Sequence, residues 1–167
     1  FVKYVKTKEH AYFIMELFRA PSVRIFMQND MPGLQARFKR LVELTCLGLG
    51  YLHEKGWVHK DIKPENILLD SDSNGYLTDF GIAKDLTNQA DTGYEVYGSP
   101  AYISPEHARG GGVTKQSDIY SFGCVLFELV TGKLPYTGES PNDLLNKHIS
   151  APIPSPLVAN ENVTPEF

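Results

Sequence analysis

Cysteine and tryptophan are scarce: the 167 residues include two cysteines and one tryptophan. Cys46 and Cys124 both fall in apolar, helical-looking segments. A disulfide framework is therefore not expected; two buried free thiols in a reducing compartment are. A basic excess is also missing. The 16 Lys and Arg stand against 20 Asp and Glu, for a net charge of −4, which argues against nucleic acid as a partner. Long apolar runs are absent too. The nearest, Phe122 to Val130, is too short to span a bilayer and contains Glu128. The first ten residues carry Lys3, Lys6, Lys8 and Glu9 with no apolar stretch behind them, so no signal peptide is read there. Internal repeats and low-complexity tracts are lacking as well.

What is present suits one globular core. Hydrophobic residues make up 42% of the chain, enough to offset the entropy of ordering a domain of this length. The chain begins at Phe1 inside a strand-like stretch and ends at Phe167 just after a helix-start signal, Thr164-Pro165-Glu166. It is read as a piece of a longer protein.

Phe1 to Tyr4 and Ala11 to Phe18 are rich in β-branched and aromatic residues, with a polar turn between them: a hairpin. Val23 to Gln28 reads as a short helix. Leu34 to Lys55 carries apolar residues at near-helical spacing and reads as one long buried helix ending at Gly56. Gly48 and Gly50 inside it suggest close packing against another helix. Trp57 to Asp70 is a strand-loop-strand stretch, joined by the turn Asp70 to Gly75 to a further strand. Lys84 to Tyr97 reads as a long surface loop. Ser117 to Gly132 is a strongly apolar helix, and Ser140 caps one more, running to about Ser150.

The chemistry gathers in His59-Lys60-Asp61-Ile62-Lys63-Pro64-Glu65-Asn66. That stretch offers a carboxylate, then a lysine and an amide, on one tight loop. Asp79-Phe80-Gly81 follows after a short strand, so two strand ends present Asn66 and Asp79 side by side. Paired oxygen ligands of this kind suit Mg²⁺, which takes few protein ligands and leaves room for phosphates. Asp61 would face an incoming hydroxyl as proton acceptor, with Lys63 neutralising charge on a moving phosphoryl group.

These motifs are followed in order by Gly98-Ser99-Pro100-Ala101-Tyr102-Ile103-Ser104-Pro105-Glu106 and by Ser117-Asp118-Ile119-Tyr120-Ser121-Phe122-Gly123. The set resembles the C-terminal lobe of a protein kinase, and within that family the bacterial Ser/Thr protein kinases. The resemblance implies an α+β, kinase-like fold: residues 1–18 as a remnant of the N-lobe sheet with the hinge, and 19–167 as a mainly helical C-lobe lacking its final helices. It implies ATP and Mg²⁺ as cofactors and proteins carrying Ser or Thr as substrates. It further implies cytoplasmic placement, with room for a membrane anchor outside this segment, which itself contacts neither membrane nor nucleic acid.

Carried over residue by residue, Asp61 resembles the catalytic base, and Asn66 and Asp79 the Mg²⁺ ligands. Lys63 and Ser99 resemble the Ser/Thr-kinase pair that contacts that base. Met15 matches the gatekeeper, Glu16 and Phe18 the hinge that bonds adenine, and Leu68 the residue beneath the adenine ring. His59 and Phe80 resemble spine residues, with Gly81 completing the second motif. Asp118 resembles the carboxylate that holds the catalytic loop's backbone. His53 reads as a structural histidine.

Departures matter as well. No Gly-rich phosphate loop and no strand lysine is found, so the segment alone is expected to be inactive and poorly stable. Glu106 resembles a residue whose Arg partner has no counterpart after Arg109. Lys60 stands where the family has an arginine, and Glu95 lies where a phosphorylated residue is common; the two are expected to pair. A truncated lobe or pseudokinase acting as a binding module is the alternative reading.

Overall fold

The computed structural model describes residues 3–14, 16–80, 84–85, 98–161 and 163. Strands β1 (Lys3–Lys6) and β2 (Ala11–Ile14) form the expected antiparallel hairpin, with Lys6 opposite Ala11. Thr7 closes its turn: its hydroxyl accepts from the His10 N–H at 3.0 Å and donates to the His10 carbonyl at 3.1 Å. Helix α1 (Val23–Asn29) follows, as its sequence indicated.

The single long helix expected from Leu34 is two helices, α2 (Met31–Ala36) and α3 (Phe38–Glu54). Asp30 explains the early start, because its side chain accepts from the Gly33 N–H at 3.0 Å and Pro32 suits a first turn. Arg37 interrupts the run with φ −99° and ψ 0°, its guanidinium 5.4 Å from the Phe26 ring centroid. Helix α3 is buried along one stripe only, Leu41, Thr45 and Leu49, spaced four residues apart. Cys46 lies one position off that stripe and is exposed, contrary to the expectation of two buried thiols; Cys124 is buried. Gly56 ends the helix as foreseen, with φ 81°.

Four short strands follow or flank the loop of interest. They are β3 (Trp57–Val58), β4 (Ile67–Leu69), β5 (Gly75–Leu77) and β6 (Lys84–Asp85). β4 pairs with β5 in register Ile67 to Leu77, and β3 pairs with β6. Lys84 and Asp85 are thus strand, where a surface loop was expected; 86–97 lie outside the described residues. The close glycine contact also moves. Gly48 faces Leu77 of β5 rather than a helix, and Gly50 meets nothing. On α3 the close approach is to Gly75 of β5: an added Cβ there would lie 3.0 Å from Leu41 and 3.1 Å from Thr45, so glycine lets β5 settle onto α3.

The C-terminal half comprises α4 (Pro105–Ala108), α5 (Lys115–Thr131), α6 (Pro141–Ser150) and α7 (Pro156–Ala159). α5 opens two residues earlier than its Ser-Asp signal, because Ser117 Oγ accepts from the Thr114 N–H at 3.0 Å and so draws Lys115 into the first turn. No helix among the described residues is long and apolar enough to cross a membrane. The core gathers Val23, Leu34, Leu41, Leu49, Ile62, Ile67, Leu69, Phe122, Val125 and Leu129 around the buried face of α5.

One polar cluster crosses that core. Arg24 on α1 donates to Glu128 of α5 at 2.8 and 3.2 Å, to Glu65 at 2.7 Å and to Tyr102 at 2.5 Å. Tyr102 Oη in turn donates to Glu128 at 2.6 Å. Burial alone would lower the Arg24 pKa, but the bonds to Glu128 and Glu65 outweigh it and raise it. Burial and the bond to Glu128 push the Tyr102 hydroxyl up. Arg24→Ala leaves Glu128 buried with only Tyr102, so urea unfolding should report a loss of about 3 kcal/mol. The double change Arg24→Met with Glu128→Leu should recover most of it; equal midpoints for Arg24→Ala and the parent would refute the role.

The turn that sets the β4–β5 register rests on one carboxylate. Asp70 accepts from the backbone N–H of Asp72 and Asn74, the Asn74 amide and the Tyr76 hydroxyl. The Asn74 amide is the main reason its pKa falls below the ordinary 3.8. With the folded value depressed, its stabilisation is complete above pH 3.8 and is lost as pH falls through the folded value. Thermal melts taken down through pH 3.8 should show a steeper acid decline for the parent than for Asp70→Asn.

Candidate functional site

Asp118, 1% exposed at the start of α5, organises the loop that precedes Asp61. Its Oδ2 accepts from the His59 N–H at 2.8 Å and its Oδ1 from the Lys60 N–H at 2.9 Å. His53, at the end of α3, adds Nε2 at 2.8 Å. These bonds hold Lys60 at φ 72°, a left-handed conformation unusual for a side-chain-bearing residue. The His59 ring is fully buried, and its Nε2 bonds the Thr78 carbonyl at 2.9 Å. A carbonyl only accepts, so Nε2 carries the proton and Nδ1 is left to accept, weakly, from the Asp61 N–H at 3.4 Å.

Asp61, Lys63 and Ser99 form one polar triangle. Lys63 Nζ lies 2.6 Å from Asp61 Oδ2 and donates to Ser99 Oγ at 3.1 Å. Ser99 Oγ donates to Asp61 Oδ1 at 3.3 Å. Gly98 makes the approach feasible: it has φ 111°, and a Cβ there would lie 3.2 Å from the Lys60 carbonyl.

Asn66 fixes the triangle from behind. Its Nδ2 donates to the Asp61 carbonyl at 2.8 Å and to Asp61 Oδ2 at 3.0 Å, which leaves the amide oxygen as its ligand atom. The Thr78 N–H donates to the Asn66 carbonyl at 3.0 Å, extending the β4–β5 ladder, and Asp79 is the next residue. The hairpin therefore sets Asn66 and Asp79 at the same end. Asp79 is exposed, with φ 62°. An amide oxygen and a carboxylate fit a hard cation that keeps most of its coordination sphere for water and phosphate. Among the described residues no trio of His, Cys, Asp or Glu forms a denser metal site.

The segment ahead of α1 runs beside β4. The Leu69 N–H donates to the Pro21 carbonyl at 3.0 Å, and Ser22 bridges Leu68. This places Phe18 against Tyr76, rings 4.4 Å apart, on the hairpin that carries Leu68. Glu16 is exposed and Leu68 half-buried. Phe80 lies 5.0 Å from the His59 ring yet is 50% exposed, so it is no core residue. Met15, Gly81 and Glu95 lie outside the described residues, and with Glu95 its expected pairing with Lys60.

Glu106 is not left bare. Ser117 Oγ donates to it at 2.5 Å, using the same hydroxyl that accepts from Thr114. Partial burial would raise the Glu106 pKa, but the Ser117 bond and its neighbours bring it below the ordinary range. Arg109 instead donates to the Ile149 carbonyl of α6 at 2.9 Å.

Comparison with known sequences decides the family. The profile of the protein kinase domain family matches residues 1–165. The chain belongs to the protein kinase domain family. It is 40% identical over 153 residues to the serine/threonine-protein kinase PrkC of Bacillus subtilis, covering 91% of this chain and 24% of that protein. It is 37% identical over 163 residues to the serine/threonine-protein kinase PknB of Mycolicibacterium smegmatis, covering 93% and 25%. PknB of Mycobacterium tuberculosis is 35% identical over 160 residues. The chain spans about a quarter of the length of the curated relatives it matches.

Sequence reasoning missed how this kinase domain ties its parts together. Glu128 was visible as a charge inside an apolar helix, a signal that a cation must meet it. Nothing in the sequence marks Arg24, 104 positions away, as that cation. For Asp118 the expectation is concrete. Asp118→Ala leaves the His59 and Lys60 N–H groups without their acceptor and should lower unfolding stability by at least about 2 kcal/mol. An unchanged urea midpoint would refute the anchoring role.

Proposed function

We propose that this chain is part of a longer Ser/Thr protein kinase, with residues 1–18 its last N-lobe strands and hinge and 19–167 its C-lobe. The carrying observation is the triangle of Asp61, Lys63 and Ser99, with Lys63 2.6 Å from the carboxylate. A substrate serine or threonine hydroxyl would approach Asp61, which accepts its proton as the oxygen bonds the γ-phosphorus. The bond from that phosphorus to the β,γ-bridging oxygen breaks, and ADP leaves. Lys63, held by Ser99, offers positive charge to the phosphoryl oxygens in flight. Asn66 and Asp79 would hold Mg²⁺, whose bound charge offsets that of the phosphates. Glu16 and Phe18 would supply the backbone contacts to adenine above Leu68.

The names of PrkC and PknB support the Ser/Thr assignment. Use of ATP places this domain on the cytoplasmic side. In the full-length protein, Asp61→Asn should slow phosphotransfer by about 10²–10⁴-fold with the fold intact. Full activity in that variant, or phosphotyrosine as the sole product of the parent, would overturn the reading.

A further inference from the structure

His148, on α6, is not among the residues assigned above, yet it is 4% exposed and faces the turn that carries Ser99. Its Nδ1 bonds Tyr120 Oη of α5 at 2.8 Å. Tyr120 and Tyr136 pack edge-on against the ring, at 5.7 and 4.9 Å between centroids. The ring is thus gripped on three sides. Its other nitrogen, Nε2, is buried and makes no hydrogen bond. The backbone of Pro100 and Ala101 faces it. Those two residues form the middle of a turn closed by the Tyr102 N–H donating to the Ser99 carbonyl at 3.0 Å. No N–H among the described residues donates a backbone hydrogen bond to either of their carbonyls.

A buried ring nitrogen without a hydrogen bond, set beside two backbone carbonyls, is a costly arrangement unless they meet in a working state. Tyr120 Oη can donate to Nδ1, and Nε2 then carries the proton and points it at the turn. We propose that His148 is a positioning residue for phosphotransfer: its Nε2–H engages the carbonyls of Pro100 and Ala101 and so sets where Ser99 holds Lys63 and Asp61. This rests on the kinase reading for its catalytic consequence, though not for its local geometry. Titratable groups on the packed elements include Glu106, His107 and Arg109 on and beside α4, Tyr120 and Cys124 of α5, and Tyr136 after it. None of them offers Nε2 a hydrogen bond.

The test compares His148→Gln, whose amide N–H can stand in for Nε2–H, with His148→Phe, which keeps a ring and loses the donor. Both are made in the full-length protein. Kinase assays on a Ser/Thr substrate should show kcat reduced about tenfold in His148→Phe, with KM for ATP unchanged, and regained to within about threefold in His148→Gln; a tenfold change corresponds to about 1.4 kcal/mol. Amide exchange at Tyr102, which closes the turn, should quicken in His148→Phe and slow again in His148→Gln. Tyr120→Phe, which frees Nδ1, should give a smaller loss of the same kind and serves if the Phe variant fails to fold. Equal losses in the Gln and Phe variants, or a folded His148→Phe with parental kcat and exchange, would overturn the proposal. A parent without phosphotransfer would overturn the kinase reading, and the exchange pattern would still decide the role of His148 in the turn.

Discussion

Asp118 holds a carboxylate at a depth where only 1% of the residue is exposed. A charge so placed must be met by hydrogen-bond donors. Two of them are backbone N–H groups of consecutive residues, His59 and Lys60, and the third is the His53 ring. Three elements are therefore fastened at one point: the end of α3, the loop after β3 and the start of α5. The loop can then hold Lys60 left-handed, and Asp61 leaves it aimed at Lys63 and Ser99. Loss of this one anchor would let that conformation relax, and the polar triangle would have no fixed base.

The site is built on short pieces of backbone rather than on long elements. β4 and β5 are three residues each, yet their register puts Asn66 and Asp79 at one end of a hairpin. That register depends on a glycine, Gly75, settled onto α3, and on the Asp70 turn. The bonds from Asn66 to Asp61 then link the two halves of the proposed chemistry, so the proposed cation ligand and the proposed base are joined through one amide. The Arg24 cluster does similar work at larger scale. It joins α1, the 3₁₀ turn Pro64–Asn66, Tyr102 and α5 through a guanidinium whose fork suits several acceptors at once.

Much of the site was legible because motif residues sit close in sequence or at strand ends. Asp61, Lys63 and Asn66 share one loop, and Asp79 follows from the turn at Asp70 to Gly75. The caps at Gly56, Gly132 and Ser140 were legible for the same local reason: a left-handed backbone wants glycine, and a first turn wants a hydroxyl. The readings that failed depended on neighbours distant in sequence. Periodicity alone could not show that Asp30 starts a helix early and Arg37 breaks it. Nor could it show which face of α3 meets β5, and so Cys46 was assigned to the core.

The sequence by itself determined the family and the order of its chemical groups, since reaction chemistry constrains residue type and spacing within a loop. It also showed Glu128 as a charge within an apolar run. Only the tertiary structure decided who the partners are: Arg24 for Glu128, His53 for Asp118, Ser117 for Glu106 and Tyr120 for His148. The physical reason is one of range. Turns and caps are settled by contacts within a few residues, whereas a buried polar group is satisfied by whatever the packing of helices brings to it.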